Sequence, residues 1–148
     1  MGLFTSFNIN ASGLTAQRYR MDVIAENVAN VNTTRTEDGT PYRRKVVTFA
    51  EKTGGPSFAD TLKRAKGTYL GRGVKVTGTF EDYETDLIRA YDPAHPDADD
   101  DGYVWYPNVN IVTEMTDLID ASRSYEANAT AFNTSKDIAV KGLEMAGN

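Results

Sequence analysis

All five prolines and eight of the twelve glycines lie between Gly39 and Pro107, and no other feature constrains this chain so strongly. Proline breaks helices and glycine weakens them, so long helices are confined to the two flanks and the middle must be built from shorter pieces. The length of 148 residues allows one modest core. The expected organisation has three parts: residues 1–33 as an N-terminal amphipathic helix, 34–107 as a middle β-section with mobile and acidic loops, and 108–148 as a long C-terminal amphipathic helix.

In the first flank Phe7, Leu14, Met21 and Val28 recur every seven residues, thickened by Ala11, Ile24, Ala25 and Val31. This predicts a helix ending near Asn30, in which Gly13 marks either a bend or the true start. In the last flank Ile111, Met115, Leu118, Ser122, Tyr125, Ala129, Phe132, Lys136, Ala139 and Leu143 follow four-three spacing. Pro107 and the side chain of Asn108 or Asn110 supply a start, and the helix would span roughly 50 Å. Two such helices could pair, parallel or antiparallel, and cover each other's stripes.

One pair leaves surface to spare. Val109, Val112, Ile119 and Val140 form a second apolar strip on the last helix, and Phe4 and Phe7 add aromatic surface at the start. Asn27, Asn30, Asn32, Thr33 and Thr34, then Asn128, Thr130, Asn133, Thr134 and Ser135, are uncharged polar side chains. Such groups can be buried between helices when hydrogen-bonded.

Between the flanks, Tyr42 to Phe49 is rich in β-branched and aromatic residues, and Val74, Val76 and Phe80 alternate with polar neighbours. Two or three strands are expected, with a short helix around Phe58 to Ala65 inside a glycine-rich, mobile stretch from Gly54 to Gly73, and an acidic loop from Asp92 to Gly102. The fold class is therefore mainly α with a small β-section: long terminal helices, paired in coiled-coil fashion, flank the strands and long loops.

Several functions are disfavoured. No apolar run reaches the length of a membrane span. A net charge of -5 argues against nucleic acid, and Arg43, Arg44 and Lys45 read as a solvated strand edge. Without cysteine there are no thiolate sites. The opening Met1-Gly2-Leu3-Phe4-Thr5-Ser6 lacks the regions of a cleaved signal peptide; it fits a loose myristoylation pattern with no second membrane signal. Asp97, Asp99, Asp101 and Gly102 form a D-x-D-x-D-G string suited to calcium, but Asn108 stands where an EF-hand needs glutamate, and Pro93 and Pro96 preclude the entering helix. His95, the single histidine, has no partner for a triad or a zinc site. No enzyme activity, cofactor, metal or small-molecule substrate is expected.

The stretch Ala25-Glu26-Asn27-Val28-Ala29-Asn30-Val31-Asn32-Thr33-Thr34, with Ser12-Gly13-Leu14-Thr15-Ala16-Gln17 and Arg20-Met21-Asp22-Val23-Ile24-Ala25 upstream, resembles the N-terminal signature of flagellar rod, hook and hook-associated proteins. Asp101-Gly102-Tyr103-Val104, Pro107-Asn108-Val109-Asn110, Glu114-Met115, Ala121-Ser122-Arg123-Ser124-Tyr125-Glu126-Ala127-Asn128 and Pro41-Tyr42-Arg43-Arg44-Lys45 resemble the short proximal-rod branch of that family. Glu51 to Leu70 departs from its pattern.

The resemblance implies a subunit carried by the flagellar type III export apparatus, without a cleaved signal, into a helical rod in the periplasm. Its partners would be copies of itself and other rod subunits. The residues expected at subunit interfaces are Phe7, Leu14, Met21, Ile24, Asn27, Val28 and Asn30 in the first helix, and Ile111, Met115, Leu118, Tyr125, Phe132 and Leu143 in the last. The alternative is a soluble coiled-coil adaptor whose acidic loop binds a cation.

Overall fold

The computed structural model describes residues 3–53, 58–67 and 71–146; the Gly54–Ser57 and Thr68–Leu70 parts of the glycine-rich stretch, and the side chain of Phe4, lie outside the described residues. The elements are α1 (Leu3–Ala29), β1 (Lys45–Glu51), α2 (Phe58–Ala65), β2 (Val74–Glu81), β3 (Ile88–Tyr91), β4 (Tyr103–Tyr106) and α3 (Ile111–Ala146). A long helix at each end with small antiparallel strands between them is the expected fold class. Among the described residues no helix is long and apolar enough to cross a membrane.

Among the described residues four strands form where two or three were expected. They make two two-stranded sheets, β1 with β2 and β3 with β4. β3 and β4 are too short for alternation to register, and their pairing is antiparallel, with Ile88 opposite Tyr106 and Tyr91 opposite Tyr103. The Arg89 guanidinium lies 3.7 Å from the Tyr103 ring centroid, and Tyr91 meets Tyr103 edge-on at 5.2 Å. α2 spans the predicted residues, with Phe58 and Leu62 exposed.

The chain divides into two compact units, to which both long helices and the first sheet contribute. The first comprises residues 1–18, 49–77 and 122–148. Within it the Phe7 and Phe132 rings meet edge-on, 5.0 Å between centroids. Gly13 is neither a bend nor a start: it is buried inside continuous helix, and a Cβ there would sit 2.7 Å from the Asn128 amide oxygen. The missing side chain is what lets α1 approach α3. As α1 advances from Phe7 to Gly13, its partner on α3 steps back from Phe132 to Asn128, so the helices run antiparallel. Gly73, at φ +96°, brings β2 against α1, where the Ser12 hydroxyl accepts the Val74 N–H at 3.1 Å.

The second unit comprises residues 19–48 and 78–121. Its buried apolar side chains include Val23, Ile24, Tyr42, Val104, Pro107, Val109 and Ala121. Here too the helices are antiparallel, with Arg20 beside Asp117 and Asn27 beside Glu114. The Asp82 N–H donates to the Arg44 carbonyl and the Thr48 hydroxyl to Gly78, so this part of β1–β2 is antiparallel.

The inward row of α3 differs in part from the expected stripe. Leu118, Tyr125, Phe132 and Ala139 face inward as expected, but the intervening inward positions include Glu114, Ala121, Asn128 and Ser135, while Met115 and Lys136 are exposed. Val109, expected on an outer strip, is buried; Val112, Ile119 and Val140 are exposed.

Candidate subunit interface

The second unit is locked by buried polar side chains. Asn27 and Glu114 are each 1% exposed. The Asn27 amide donates to the Lys45 carbonyl at 2.9 Å and to Glu114 Oε2 at 3.0 Å, while its oxygen accepts the Tyr42 hydroxyl and the Lys45 N–H, both at 2.9 Å. All four hydrogen-bonding positions of the amide are filled, so the group is buried without an unpaired donor or acceptor. Burial first, and then the charges of Glu26 and Glu114, push the Tyr42 phenol well above its ordinary value. It therefore stays protonated and keeps donating to Asn27.

Glu114 Oε1 takes the Arg44 Nε–H at 2.6 Å, and Arg44 reaches Asp117 at 3.5 Å, which Arg20 meets at 3.3 Å. Arg44 is thus no solvated strand edge: its side chain is largely covered and neutralises the buried carboxylate. The Arg44 N–H donates to Asn108 Oδ1 at 2.8 Å, and the Asn108 amide donates to the carbonyls of Asp82 and Thr85. That turn is itself fixed by Thr85, whose N–H and hydroxyl donate to the Asp82 carboxylate and hold its pKa below the usual value. The helix cap falls to Asn110, whose side chain accepts the Val112 and Thr113 N–H groups.

Of the residues expected at interfaces, Ile24 and Asn27 are buried within their own unit, and Phe7, Leu14, Met21, Val28, Leu118, Tyr125 and Phe132 are half-buried. Asn30 closes the end of α1, donating to the Glu26 carbonyl and accepting the Thr33 hydroxyl. Ile111, Met115 and Leu143 are exposed, the last at 73%. Beside them stand Val112, 75% exposed, and Ile119.

Ile111 and Val112 also border a groove of about 390 Å³, with Val31, Ile88 and Val109 as further apolar walls and Asp86 at its edge. Along α3 the hydroxyls of Thr116, Thr130, Thr134 and Ser135 donate to the carbonyl four residues back, so those side chains carry no unsatisfied donor into a packed environment.

Tyr42, Arg44, Asn108 and Glu114 stand in the motifs that carry the resemblance but not among the residues expected at interfaces. Their signal was a charged, phenolic or amide side chain at an inward helical position or beside a strand start, which an apolar-stripe reading discounts. The acidic string forms no shared cluster: Asp97 accepts the Thr34 hydroxyl at 2.8 Å and faces Arg35, while Asp99 accepts the Asp101 and Tyr103 N–H groups. Among the described residues no group of acidic or histidine side chains is placed to hold a metal ion.

Two family models match this chain, "Flagella basal body rod protein" over residues 7–35 and "Flagellar basal body rod FlgEFG protein C-terminal" over residues 100–145. The matched segments contain Asn27, Asn108 and Glu114, three of the side chains in the lock. The chain is similar to the flagellar basal-body rod protein FlgC of Borreliella burgdorferi, at 49% identity over 93% of each chain. It is likewise similar to FlgC of Bacillus subtilis, at 46% identity over 98% of this chain and 99% of that one, and of Escherichia coli O157:H7, at 40% over 98% of each. Likeness of that degree over nearly the whole length shows that this chain belongs to the FlgC family of flagellar basal-body rod proteins.

Proposed function

We propose that the chain is a structural subunit of the proximal rod, assembling helically with copies of itself and other rod subunits through its terminal helices to form the drive shaft and the wall of the export channel. In this reading the flagellar type III export apparatus carries it across the inner membrane, and it acts in the periplasm. The carrying observation is the exposed row Ile111, Val112, Met115 and Ile119 on α3. A contiguous apolar row on a helix already packed on its other face is surface for a partner. A head-to-tail contact that does not close on itself yields a filament.

The test uses Met115→Asp combined with Ile119→Asp. Both side chains are exposed, so the isolated subunit keeps its urea midpoint. Rod incorporation and motility in a complementation assay are lost, because an assembled neighbour would have to bury unpaired carboxylates. A motile strain carrying the double variant would count against the reading. Phe132 is a poorer probe, since it also packs on Phe7 within the chain.

A further inference from the structure

A cavity away from the lock and from the exposed helix rows lies within the unit of residues 19–48 and 78–121. Its volume is about 280 Å³, and its walls include Thr34, Arg35, Pro41, Pro96, Asp97 and Trp105. Trp105 is the single tryptophan of the chain and is 42% exposed. An indole left in water at a cavity wall offers a broad apolar face beside polar neighbours.

Both walls are fixed before anything enters. On one side the Thr36 N–H donates to the Thr40 carbonyl at 2.8 Å, and the Tyr42 N–H to the Thr33 carbonyl at 3.1 Å, which closes a turn that Gly39 enters at φ +77°. On the other, the Ala98 N–H donates to the His95 carbonyl at 3.1 Å, and His95 Nδ1 accepts the Asp97 N–H at 3.1 Å. The Thr34 hydroxyl ties wall to wall, donating to Asp97 Oδ2 at 2.8 Å. A site already ordered loses little freedom when it binds.

The lining selects the chemistry. Arg35 Nη1 and Asp97 Oδ1 are 3.7 Å apart, close enough to balance charge but too far to share a hydrogen bond. Each therefore keeps hydrogen-bonding positions open, and the Arg35 side chain is 69% exposed. An anion would be repelled by Asp97 and a cation by Arg35, so the pair favours neither. A neutral ligand with several hydroxyls uses both, donating to the carboxylate and accepting from the guanidinium. The space is at the small end of small-molecule sites, which start near roughly 300 Å³, and so suits one ring. A ring with hydroxyls at its rim and C–H groups on its faces is a pyranose, and the indole matches such a face.

We propose that this cavity binds a neutral saccharide, one pyranose ring lying against Trp105 with its hydroxyls between Arg35 and Asp97. Arg89 pairs across the strands with Trp105, and Tyr91, 67% exposed, stands two residues further along β3. These side chains share one face of the hairpin, so a linear glycan has a path beyond the cavity.

The lone indole reports on its own cavity. N-acetylglucosamine and its β-linked tetramer are titrated separately into the dilute full chain and followed by tryptophan emission and by calorimetry. A saturable change is expected, with a Kd on the order of 1 mM for the single sugar. Tighter binding of the tetramer identifies a glycan strand as the ligand, and equal binding identifies the free sugar. Arg35→Gln weakens binding roughly tenfold while leaving the urea midpoint unchanged. Trp105→Phe, read by heat alone, keeps part of the affinity, and Trp105→Ala loses it. The assignment is overturned by no saturable signal from either sugar at roughly 20 mM, or by an equal response to choline or inorganic phosphate. Undiminished binding by Arg35→Gln or by Trp105→Ala overturns it as well.

Discussion

The same two helices are used differently in the two units. In the unit of residues 19–48 and 78–121 they enclose Val23, Ile24, Val104 and Val109 and a fully paired amide and carboxylate. In the unit of residues 1–18, 49–77 and 122–148 they meet through Phe7, Phe132 and the gap at Gly13, while Ile138, Val140, Leu143 and Met145 are left in water. Buried polar groups with every partner present specify one register, because any slip leaves a charge or an amide unpaired. Exposed apolar helix specifies nothing alone and gains most from a neighbour. Both units leave apolar helix surface uncovered, Ile111, Val112, Met115 and Ile119 in the first named and Ile138, Val140, Leu143 and Met145 in the second, and the difference is that the first named is also locked by buried polar groups.

The lock is where the comparison can be broken most severely. Glu114→Ala removes the anion that neutralises Arg44 and accepts from Asn27, leaving both without that partner in a covered site. Loss of one partner of a buried pair costs about 3 kcal/mol, which should appear as a lower urea midpoint and as accelerated amide exchange in residues 19–48 and 78–121. Substitution with little loss of stability would mean that the polar contacts are incidental and that apolar packing alone sets the register.

A second prediction sharpens the contrast along a single helix. In the dilute chain, amides of α3 after Ser122 should exchange faster than those between Met115 and Ala121, by about 2 kcal/mol of opening free energy, roughly thirtyfold. The gradient should shrink at concentrations where copies associate. Uniform slow exchange from Met115 to Leu143 in the dilute chain would remove the distinction between the units.

How much of this was legible depends on the chemistry of each position. Leu118, Tyr125, Phe132 and Ala139 recur every seven residues and are apolar, so periodicity found them, as it found Phe7, Leu14, Met21 and Val28. The helices meet at Gly13 against Asn128 and at Asn27 against Glu114, and Ala16 and Ala121 are buried on the same two helices. Small residues carry almost no hydropathy signal, and buried polar ones carry the opposite signal. They are inward because partners distant in sequence satisfy them: Tyr42 and Lys45 for Asn27, Arg44 for Glu114. Local pattern cannot contain that information. The same holds for β3 and β4, four residues each, whose pairing brings Arg89 over Tyr103 across an acidic loop. The helical cap was legible to within two alternatives; Asn110 takes it because Asn108 is engaged with Arg44, Asp82 and Thr85.

The smallest expected effect concerns a single proton in the lock. Tyr42→Phe keeps the ring and deletes one donor to Asn27, whose oxygen retains the Lys45 N–H, so the loss should be about 1 kcal/mol at neutral pH. Because the folded protein holds the Tyr42 proton above its ordinary value of 10.0, the unfolded chain releases that proton first as pH rises. The stabilisation is therefore complete below about pH 10 and declines above it, where the folded state binds more protons than the unfolded one. Tyr83 is also raised, through its hydrogen bond to Glu81, but it lies on the surface and is common to both proteins. The stability gap between the unaltered chain and Tyr42→Phe, measured by urea unfolding from pH 8 to 11, should thus narrow above pH 10. A gap that stays constant across that range would mean that Tyr42 ionises as freely folded as unfolded, and the lock would have to be redrawn without it.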